Sequence, residues 1–409
     1  MENFATKVVE KLREAGFVGY FAGGCVRDRL LGRSPKDFDV ATSALPNEVR
    51  ELFGHRRTLA IGASFGVITV LGPKPHQVEV ATFRNDGEYT DGRHPDGVTF
   101  STAEEDAARR DFTINGMFFD PLENNVIDFV GGEADLQARV IRAIGSPLER
   151  IKEDRLRMLR AVRFAATYDF EIETETMKAV QSQAANLNAV SQERITAELQ
   201  RMLAHPNRSR ALSLLHESRL LPLTIAPVAN LAESKSKRWQ RLLSILESDA
   251  ITRFVPAMAA VLGTEGANLN AQEVAQAGRT LKLSNEERKS LAWVVKHRQQ
   301  IDDATQLKHS ELQPLLIQSD VRHSLSLMRA VAEVDEIPNL AIKHCEQLLD
   351  QPQDRLDPPV LLRGNDLMSE GIKPGPQFAE LLSGLRAAQL DGLVSNKAEA
   401  IAFVKRARK

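Results

Sequence analysis

The chain has 409 residues, a formal net charge of −2 at pH 7 and only two cysteines, Cys25 and Cys345. The two cysteines exclude a disulfide framework and a structural zinc site, and they favour a reducing, cytoplasmic compartment. No apolar run is long enough for a membrane-spanning helix. The length predicts two to four domains, and the charge excludes a global attraction to polyanions, so a nucleic-acid surface would need local basic clusters such as 150–163 and 405–409.

The first 145 residues have the pattern of a mixed helix and strand domain. The opening stretch MENFATKVVEKLREAGF has the apolar spacing of an amphipathic helix. Strands are predicted at VGYFAGG, FDVAT, FGVITVLG, HQVEVATF and NVIDFVGG, which combine aliphatic and aromatic residues with Gly or Pro at their ends. Beyond Ser146 the apolar residues recur at spacings of three and four. The fold class is therefore predicted to be α+β, with a small sheet domain followed by an all-helical remainder.

Glycines in YFAGGCVRDRLLGR precede a predicted helix directly after a predicted strand. Gly23 and Gly24 would end the strand and let the helix begin at once, with its N–H groups and the positive end of its dipole directed outward. Arg27 lies in the first turn, where a guanidinium could bind a phosphate with two hydrogen bonds. The segment is a candidate phosphate site, and a simple tight turn is the alternative.

Two acidic residues interrupt the next predicted strand, KDFDVAT. Asp37 and Asp39 stand two residues apart, so a strand would place both carboxylates on one face. This arrangement is unfavourable unless a cation lies between them, and Mg²⁺ is usually held by one or two carboxylates plus substrate phosphates. Glu79, in the apolar strand HQVEVATF, is the third candidate ligand. A solvated strand end is the alternative for the aspartate pair taken alone.

Several motifs, in this order, resemble a known family. GGCVRD, DFDVAT and RRDFTIN are similar to the head-domain motifs of the tRNA nucleotidyltransferase and bacterial poly(A) polymerase family, class II of the DNA polymerase beta nucleotidyltransferase superfamily. The resemblance continues through EDRLRMLRAVRF to about residue 205 and resumes more weakly at LLRGNDLMSEGIKPGPQFAELL. It implies a nucleotidyltransferase head with a small mixed sheet at 1–145, a helical neck at 146–205, a helical body at 206–350 and a helical tail at 351–409.

The resemblance also implies an activity. A nucleoside monophosphate would pass from an NTP to an RNA 3′-OH with release of pyrophosphate, and Asp37, Asp39 and Glu79 would hold two Mg²⁺ ions. Neck, body and tail would bind tRNA, from its 3′ end to its elbow, by shape and phosphate contacts. We expect CTP and ATP as substrates and a monomeric protein.

A repeated spacing in RIKEDRLRMLRAVRF suggests how the base is chosen. Asp154, Arg157, Arg160 and Arg163 recur every three residues, which on one helix would bring neighbours within reach. The family motif EDxxR is matched by Glu153, Asp154 and Arg157. An exposed salt-bridged helix face is the alternative for this pattern.

Cytosine and adenine both present an amine beside a ring-nitrogen acceptor, whereas uracil and guanine present the reverse. A charge pair of Asp154 and Arg157 could therefore accept from the amine and donate to the ring nitrogen of either permitted base. Glu153 would orient Arg157, and Arg160 and Arg163 would face phosphates or the incoming base. A rejected base would leave buried polar groups unpaired.

Two more segments bear on nucleotide binding. In RRDFTIN, Arg110 is the predicted triphosphate contact, with Arg109 a weaker candidate, and by resemblance Asp111 helps to recognise the ribose. Ordinary surface charge is the alternative for the arginine pair. Residues 84–103 are polar, rich in glycine and without periodicity, so we predict a mobile element. In the family, the corresponding loop accompanies the ability to add the terminal A.

The helical remainder offers weaker signals. No His-Asp dyad occurs beyond residue 170, which argues against a fused metal-dependent phosphohydrolase domain. Trp239 and Trp293 are predicted to be core residues. Four arginines on or beside one predicted helix are candidates for RNA backbone contacts, with ordinary solvated charges as the alternative: Arg194, Arg201, Arg208 and Arg210.

The sequence thus predicts an enzyme that adds CCA to tRNA 3′ ends. Two alternatives share every motif, namely an A-adding enzyme that works with a separate CC-adding partner and a poly(A) polymerase. An RNA-binding protein with an inactive head is the non-enzymatic alternative, and the intact acids Asp37, Asp39 and Glu79 oppose it.

Overall fold

The computed structural model describes residues 1–86, 98–234, 236–372 and 375–407. The chain divides into two compact units, the first containing Met1–Met202 with Arg210–Ala226 and the second Leu203–Ser209 with Pro227–Lys409. The four domains predicted from the sequence are a finer division whose boundaries stay a prediction. The predicted mobile element at 84–103 is described only at its two ends, because 87–97 lie outside the described residues.

The first unit is built on a seven-stranded mixed sheet. Its strands, in the order β3-β4-β5-β2-β1-β8-β9, pair antiparallel except for the parallel neighbours β2 and β5. Two shorter ladders join β6 with β7 and β10 with β11. The strand bounds are β1 Gly19–Ala22, β2 Asp39–Thr42, β3 Thr58–Gly62, β4 Val67–Leu71, β5 Gln77–Thr82, β6 Arg84–Asp86, β7 Val98–Phe100, β8 Phe118–Asp120, β9 Asn125–Ile127, β10 Val140–Ile141 and β11 Glu171–Ile172.

The helices of this unit lie around the sheet and then continue the chain beyond it. Helices α1 and α3 pack against the strands from β1 to β5, and α4 carries the chain toward the RRDFTIN segment. The helix bounds are α1 Glu2–Glu14, α2 Gly24–Leu30, α3 Pro46–Phe53, α4 Ala103–Ala108, α5 Gly132–Ala138, α6 Pro147–Glu153, α7 Arg157–Tyr168, α8 Thr174–Gln183, α9 Gln192–Leu203, α10 Arg208–Glu217 and α11 Leu221–Thr224.

Strand alternation explains why acids can stand in apolar strands. Val40, Val78 and Val80 are buried on one face of the sheet, whereas Asp39 and Glu79 between them are exposed on the other. The apolar residues of α1 cover the buried face, so the amphipathic helix predicted for the N-terminus is confirmed. The sheet core and the catalytic candidates thus use opposite faces of the same strands.

The second unit is helical throughout its described residues. Its last part has separate apolar clusters over 301–356 and 362–404. Trp239 is 4% exposed and Trp293 packs against the first of these clusters, which confirms both as core residues. The helix bounds, including the helix that joins the units, are α12 Ala226–Glu233, α13 Lys237–Glu247, α14 Phe254–Leu262, α15 Ala271–Thr280, α16 Asn285–Asp302, α17 His309–Leu316, α18 Val321–Val334, α19 Leu340–Leu349, α20 Gln353–Leu356, α21 Gly364–Ser369, α22 Pro376–Leu390 and α23 Lys397–Ala407.

The structure corrects one sequence expectation and bears on two others. The stretch after Ser146 is not purely helical, because the two-residue strand β11 pairs with β10. Across the described ranges, no helix combines the length and the apolar character needed to cross a bilayer. Cys25 and Cys345 are free and buried.

Candidate active site

The predicted carboxylates meet at the start of β2. Asp39 and Glu79 are register partners on the parallel strands β2 and β5, and Asp37 precedes β2 by two residues. Asp37 and Asp39 are both exposed while Phe38 between them is buried, so both carboxylates belong to the open side. In the described part of the chain, no three His, Cys, Asp or Glu residues already form a compact ligand set. Two carboxylates together with phosphate oxygens of a substrate would form the kind of ligand set that usually binds Mg²⁺.

The surroundings of Asp39 raise its pKa. Loss of hydration raises the pKa of Asp39 to about 6, and the negative charges of Glu79 and Asp37 act in the same direction. The guanidinium of Arg110 opposes them. A carboxylate so placed is stabilised in its charged form by a nearby cation.

The two glycines and Arg110 form one side of this site. Gly23 has a φ of 70° and is the N-cap of α2, and Gly24 begins the helix. A Cβ on Gly23 would lie 3.1 Å from Nη1 of Arg110, so the absence of a side chain permits this close approach. Arg110 thus lies beside Gly23 at the start of α2 and near enough to the Asp39 carboxylate for its charge to act on that pKa.

The phosphate contact predicted for Arg27 requires an accessible guanidinium, but Arg27 is buried. It is 6% exposed, and its Nη1 donates to Oδ1 of Asn115 at 2.5 Å. Its Nε and Nη2 donate to Oδ1 of Asp28 at 2.9 and 2.8 Å, and its guanidinium lies 4.4 Å from the ring centroid of Tyr168. Arg27 therefore fastens α2 to α7, and a phosphate contact would have to replace one of these partners.

Asp106 holds both arginines of RRDFTIN and was missed by the sequence analysis. Its Oδ1 accepts from Nη2 of Arg109 at 2.7 Å, and its Oδ2 accepts from Nη2 of Arg110 at 2.9 Å. Burial alone would raise the pKa of Asp106, but Arg110 and Arg109 outweigh it and hold that pKa below its usual value. The spacings of three and four residues on a helix were the signal that could have identified this clamp.

The predicted stripe from Asp154 to Arg163 does not lie on one helix. Helix α6 ends at Glu153, and α7 begins at Arg157. Asp154 has an extended backbone, with φ −139° and ψ 104°, and its Oδ1 accepts from the Leu156 N–H at 3.0 Å. This local side-chain bond competes with the helical hydrogen bonds and turns the chain between the helices.

Asp154 is paired with Arg194 rather than with Arg157, whereas Arg157 is held by Glu153, as predicted from the sequence. Asp154 forms a two-point ion pair with Arg194 of α9, with Nη1 to Oδ1 at 3.1 Å and Nη2 to Oδ2 at 2.7 Å. Nη1 of Arg157 donates to Oε2 of Glu153 at 2.5 Å, and Oε2 also accepts from Nη1 of Arg150 at 2.9 Å. The expected Asp154–Arg157 charge pair is wrong because each residue is held by another partner.

The neighbouring arginines are turned toward buried acids. Arg160 contacts Asp111, which is 8% exposed, through Nε at 2.7 Å and Nη2 at 2.5 Å. Burial would raise the pKa of Asp111, but Arg160 above all holds it low. Arg163 donates through Nε to Oε2 of Glu198 at 2.5 Å and lies 4.0 Å from the Phe164 ring centroid. Both arginines are thus already paired with acids, and the contacts predicted for them with phosphates or the incoming base stay a prediction.

Comparisons with known proteins identify the family. Family models described as "Poly A polymerase head domain" and "Probable RNA and SrmB- binding site of polymerase A" match residues 19–142 and 169–227. The CCA-adding enzyme of Streptococcus mutans is 33% identical over 405 residues, which are 97% of this chain and 95% of that protein. The CCA-adding enzyme of Geobacillus sp. (strain WCH70) is 34% identical over 97% of this chain and 95% of its own length. This chain belongs to the CCA-adding enzyme family.

Solved structures of CCA-adding enzymes have the same fold. The Bacillus stearothermophilus CCA-adding enzyme in complex with CTP matches with a TM-score of 0.79 and 29% identity, over 99% of this chain and 97% of that one. The Thermotoga maritima CCA-adding enzyme complexed with tRNA_CCA matches with a TM-score of 0.66 at 20% identity, over 100% of this chain and 95% of that one. The predicted nucleotidyltransferase head followed by a helical remainder is confirmed.

The four arginines proposed to contact RNA differ from one another in exposure and in their partners. Arg208 is 2% exposed and donates to the backbone oxygens of Leu246 and Ser248, so the RNA contact predicted for it is wrong. Arg194 is paired with Asp154. The other two remain predictions: Arg201, with a side chain 62% exposed, and Arg210, which is paired with Glu171.

Proposed function

We propose that this chain is a tRNA nucleotidyltransferase that adds C, C and A from CTP and ATP to tRNA 3′ ends and releases pyrophosphate. The observation that carries the proposal is similarity to CCA-adding enzymes along 95% of their length, including head and helical regions. This similarity favours CCA addition over an A-adding enzyme or a poly(A) polymerase. The open-face carboxylates Asp39 and Glu79 favour an enzyme over an inactive RNA-binding protein.

The acids fit a site for divalent cations. Asp39 and Glu79 are side by side in register, and a cation would stabilise the charged form of Asp39, whose pKa is raised by loss of hydration and then by the charge of Glu79. We propose that Asp37, Asp39 and Glu79 hold Mg²⁺ together with phosphate oxygens of the substrate. Two divalent ions, when bound, supply activation of the RNA 3′-OH and charge neutralisation on the triphosphate. Arg110 and the N–H groups at the start of α2 would orient that triphosphate.

Base choice would use the unused hydrogen-bonding capacity of Asp154 and Arg157. A carboxylate has about four acceptor sites, and the bonds from Arg194 and Leu156 occupy three of those on Asp154. A guanidinium has five N–H donors, and three bonds, to Glu153, the Arg150 carbonyl and the Arg109 carbonyl, engage Arg157. One acceptor and two donors are thus left to read the amine and ring nitrogen shared by cytosine and adenine.

The three bonds on Arg157 and the two-point pair on Asp154 also fix both side chains before a nucleotide arrives. Fixed groups cannot turn to accommodate the reversed pattern of uracil or guanine, whose carbonyl would face a carboxylate. Each mismatched contact leaves a polar group unpaired at a cost of about 1–3 kcal/mol. One rigid site can therefore accept two bases of different size and reject the other two.

Asp106→Asn is expected to weaken NTP binding. The asparagine keeps the shape of Asp106 but removes the charge that holds Arg109 and Arg110. Loss of a charged clamp in a largely buried setting is expected to raise KM for CTP and ATP by roughly 5- to 50-fold, corresponding to about 1–2.3 kcal/mol. KM for tRNA should change less than 2-fold. Steady-state kinetics with each substrate varied in turn measure the split, and equal rises in both KM values would contradict it.

The function itself is tested with three tRNAs and two nucleotides. A tRNA lacking CCA, one ending in C and one ending in CC are each incubated with CTP or ATP alone. A CCA-adding enzyme extends the first two with CTP and the third with ATP. Extension only of the third substrate by ATP would indicate an A-adding enzyme, and long A tracts would indicate a poly(A) polymerase.

A further inference from the structure

The guanidinium of Arg150 lies where three segments of the first unit meet. Its Nε donates to the carbonyl oxygen of Ile144 at 3.2 Å, and its Nη1 donates to the carbonyl oxygen of Arg109 at 3.5 Å. The same Nη1 donates to Oε2 of Glu153 at 2.9 Å, within α6. One side chain therefore joins the segment after β10, the end of α4 and the last turn of α6.

Arg150 also supports Arg157, the proposed donor to the ring nitrogen of the base. The backbone oxygen of Arg150 accepts from Nη1 of Arg157 at 2.9 Å. Oε2 of Glu153 accepts from both guanidinium groups, and such charge-assisted hydrogen bonds hold the two cations beside each other. Arg150 therefore limits the positions that Glu153 and Arg157 can adopt.

The carbonyl group of Arg109 is a further contact that the two arginines share. Arg109 is the C-cap residue of α4, and the last carbonyl groups of a helix have no partner within the helix. Nη2 of Arg157 donates to this carbonyl at 3.2 Å, in addition to the contact from Arg150. Arginine side chains are favourable partners for such carbonyls. Arg150 and Arg157 thus fix the end of α4 from the neck helices.

The end of α4 carries the proposed triphosphate contact. The peptide group that contains the Arg109 carbonyl also contains the N–H of Arg110, so Arg157 and Arg110 are separated by one hydrogen bond and one peptide bond. Asp106 of α4 holds the Arg110 guanidinium, which lies beside Gly23 at the start of α2. A shift at the end of α4 would therefore move Arg110 relative to the triphosphate.

We propose that Arg150 is a positioning residue that links base choice to triphosphate placement. The inference rests on the proposed function and adds to it a residue that acts through its neighbours. With a permitted base, Arg157 keeps its bonds to Glu153 and to the Arg109 carbonyl, and Arg110 stays aligned. A mismatched base that draws Arg157 away removes a bond from the end of α4, so the wrong nucleotide is also poorly aligned for transfer. Base choice then acts on the rate of transfer as well as on binding.

Arg150→Met tests this role with CTP and UTP, each offered singly to a tRNA lacking CCA. Methionine keeps much of the length of the side chain but has no donor groups. We expect kcat/KM for CTP to fall roughly 10- to 100-fold, because small misplacements of reacting groups have effects of this size. UTP, which is already misaligned in the wild type, should lose less, so the CTP/UTP ratio of kcat/KM should fall roughly 5- to 50-fold. A purely structural residue would affect both nucleotides equally, and an unchanged ratio would overturn the proposal.

Lys178→Met is the matched control. It also removes the basic member of an ion pair between residues three positions apart, with Glu175, on the exposed side of α8, a helix that packs on α6. Its kinetics with both nucleotides should match the wild type. A fall in the CTP/UTP ratio equal to that of Arg150→Met would contradict the specific role of Arg150.

Arg150→Lys provides a second variant that keeps the positive charge beside Glu153 and keeps the test valid if the methionine variant does not fold. A single ammonium group cannot replace the separate donors at Nε and Nη1 of a guanidinium. The CTP/UTP ratio should fall in the same direction, by roughly 3- to 20-fold. A folded Arg150→Lys variant with wild-type kinetics would contradict the proposal.

A double-mutant cycle with Asp106→Asn tests the link to the triphosphate contact. If Arg150 acts on Arg110 through the end of α4, it should matter less once Arg110 is released from Asp106. The loss in kcat/KM for CTP caused by Arg150→Met is expected to be at least roughly 3-fold smaller in the Asp106→Asn background than in the wild type. Equal losses in the two backgrounds would show that Arg150 does not act on Arg110.

The two hypotheses fail in different ways. A wild-type protein that adds nothing to any of the three tRNAs would refute the proposed function. A wild type that adds CCA, with Arg150 variants that keep its CTP/UTP ratio, would refute only the positioning role of Arg150.

Discussion

Asp39→Ala is expected to abolish nucleotide incorporation. The pKa of Asp39 is raised by loss of hydration and by the charges of Glu79 and Asp37, and Asp39 lies beside Glu79 at the point where the metal and the reacting groups are proposed to meet. Removing a metal ligand that contributes several kcal/mol to the transition state should lower kcat by at least roughly 10³-fold. Affinity for tRNA should remain within a few-fold, because most of the tRNA contacts are expected on the helical regions.

The measurement combines single-turnover incorporation of CTP with a tRNA binding assay. Glu51→Ala is a suitable control, since Glu51 is an exposed acid on α3, which packs on the other face of the sheet. Turnover of Asp39→Ala near the wild-type rate at ordinary Mg²⁺ concentrations would refute the metal assignment. A parallel loss of tRNA affinity would place Asp39 in RNA binding rather than chemistry.

Asp154→Ala and Arg157→Ala are expected to relax base choice. The first variant removes the acceptor for the exocyclic amine, and the second removes the donors for the ring nitrogen. Each lost discriminating contact is worth about 1–3 kcal/mol, so UTP and GTP should gain roughly 5- to 150-fold in kcat/KM relative to CTP and ATP. Incorporation of the four NTPs, offered singly to a tRNA lacking CCA, measures the change.

The ion pairs indicate what each variant should do to folding stability. Asp154→Ala leaves Arg194 without its two-point partner, whereas Arg157→Ala leaves Glu153 still paired with Arg150. We therefore expect the larger loss of folding stability in Asp154→Ala. Arg155→Ala, which removes a guanidinium from the same turn, serves as the control. Wild-type discrimination in both variants would make the turn between α6 and α7 a purely structural salt-bridged region.

The part of the site on the strands was predictable because residue alternation along a strand is a local sequence signal. Alternation in a strand predicted one shared face for Asp37 and Asp39, although only Asp39 lies in β2 and Asp37 precedes that strand. The apolar neighbours of Glu79 indicate a strand with one open side. The parallel pairing of β2 with β5, which makes Asp39 and Glu79 adjacent, is a long-range property that spacing cannot supply. The family resemblance, which rests on the order of the motifs, indicated indirectly that Asp39 and Glu79 are neighbours.

The helical region was less predictable because its partners are distant in sequence. A spacing of three residues suggested one continuous stripe, but the Asp154 side chain bonds to the Leu156 N–H and ends the helix. The acid that holds Arg163 is 35 residues away and the arginine that holds Asp154 is 40 residues away. Buried charge has to be paired wherever the fold brings a partner, and sequence spacing does not reveal that partner.

One carboxylate, that of Asp154, is proposed to read the amine of both permitted bases. A double-mutant cycle tests it, with Asp154→Ala on the protein and removal of the amine on the nucleotide. The nucleotides are the triphosphates of 2-pyrimidinone riboside and purine riboside, which are CTP and ATP without their exocyclic amines.

The decisive quantity is kcat/KM for each amine-free nucleotide relative to its parent, in wild type and in Asp154→Ala. The wild type is predicted to lose roughly 5- to 150-fold with both analogues, and Asp154→Ala less than 2-fold, because the contact is already absent. Equal losses in the two proteins would show that Asp154 does not contact the amine and would contradict the account.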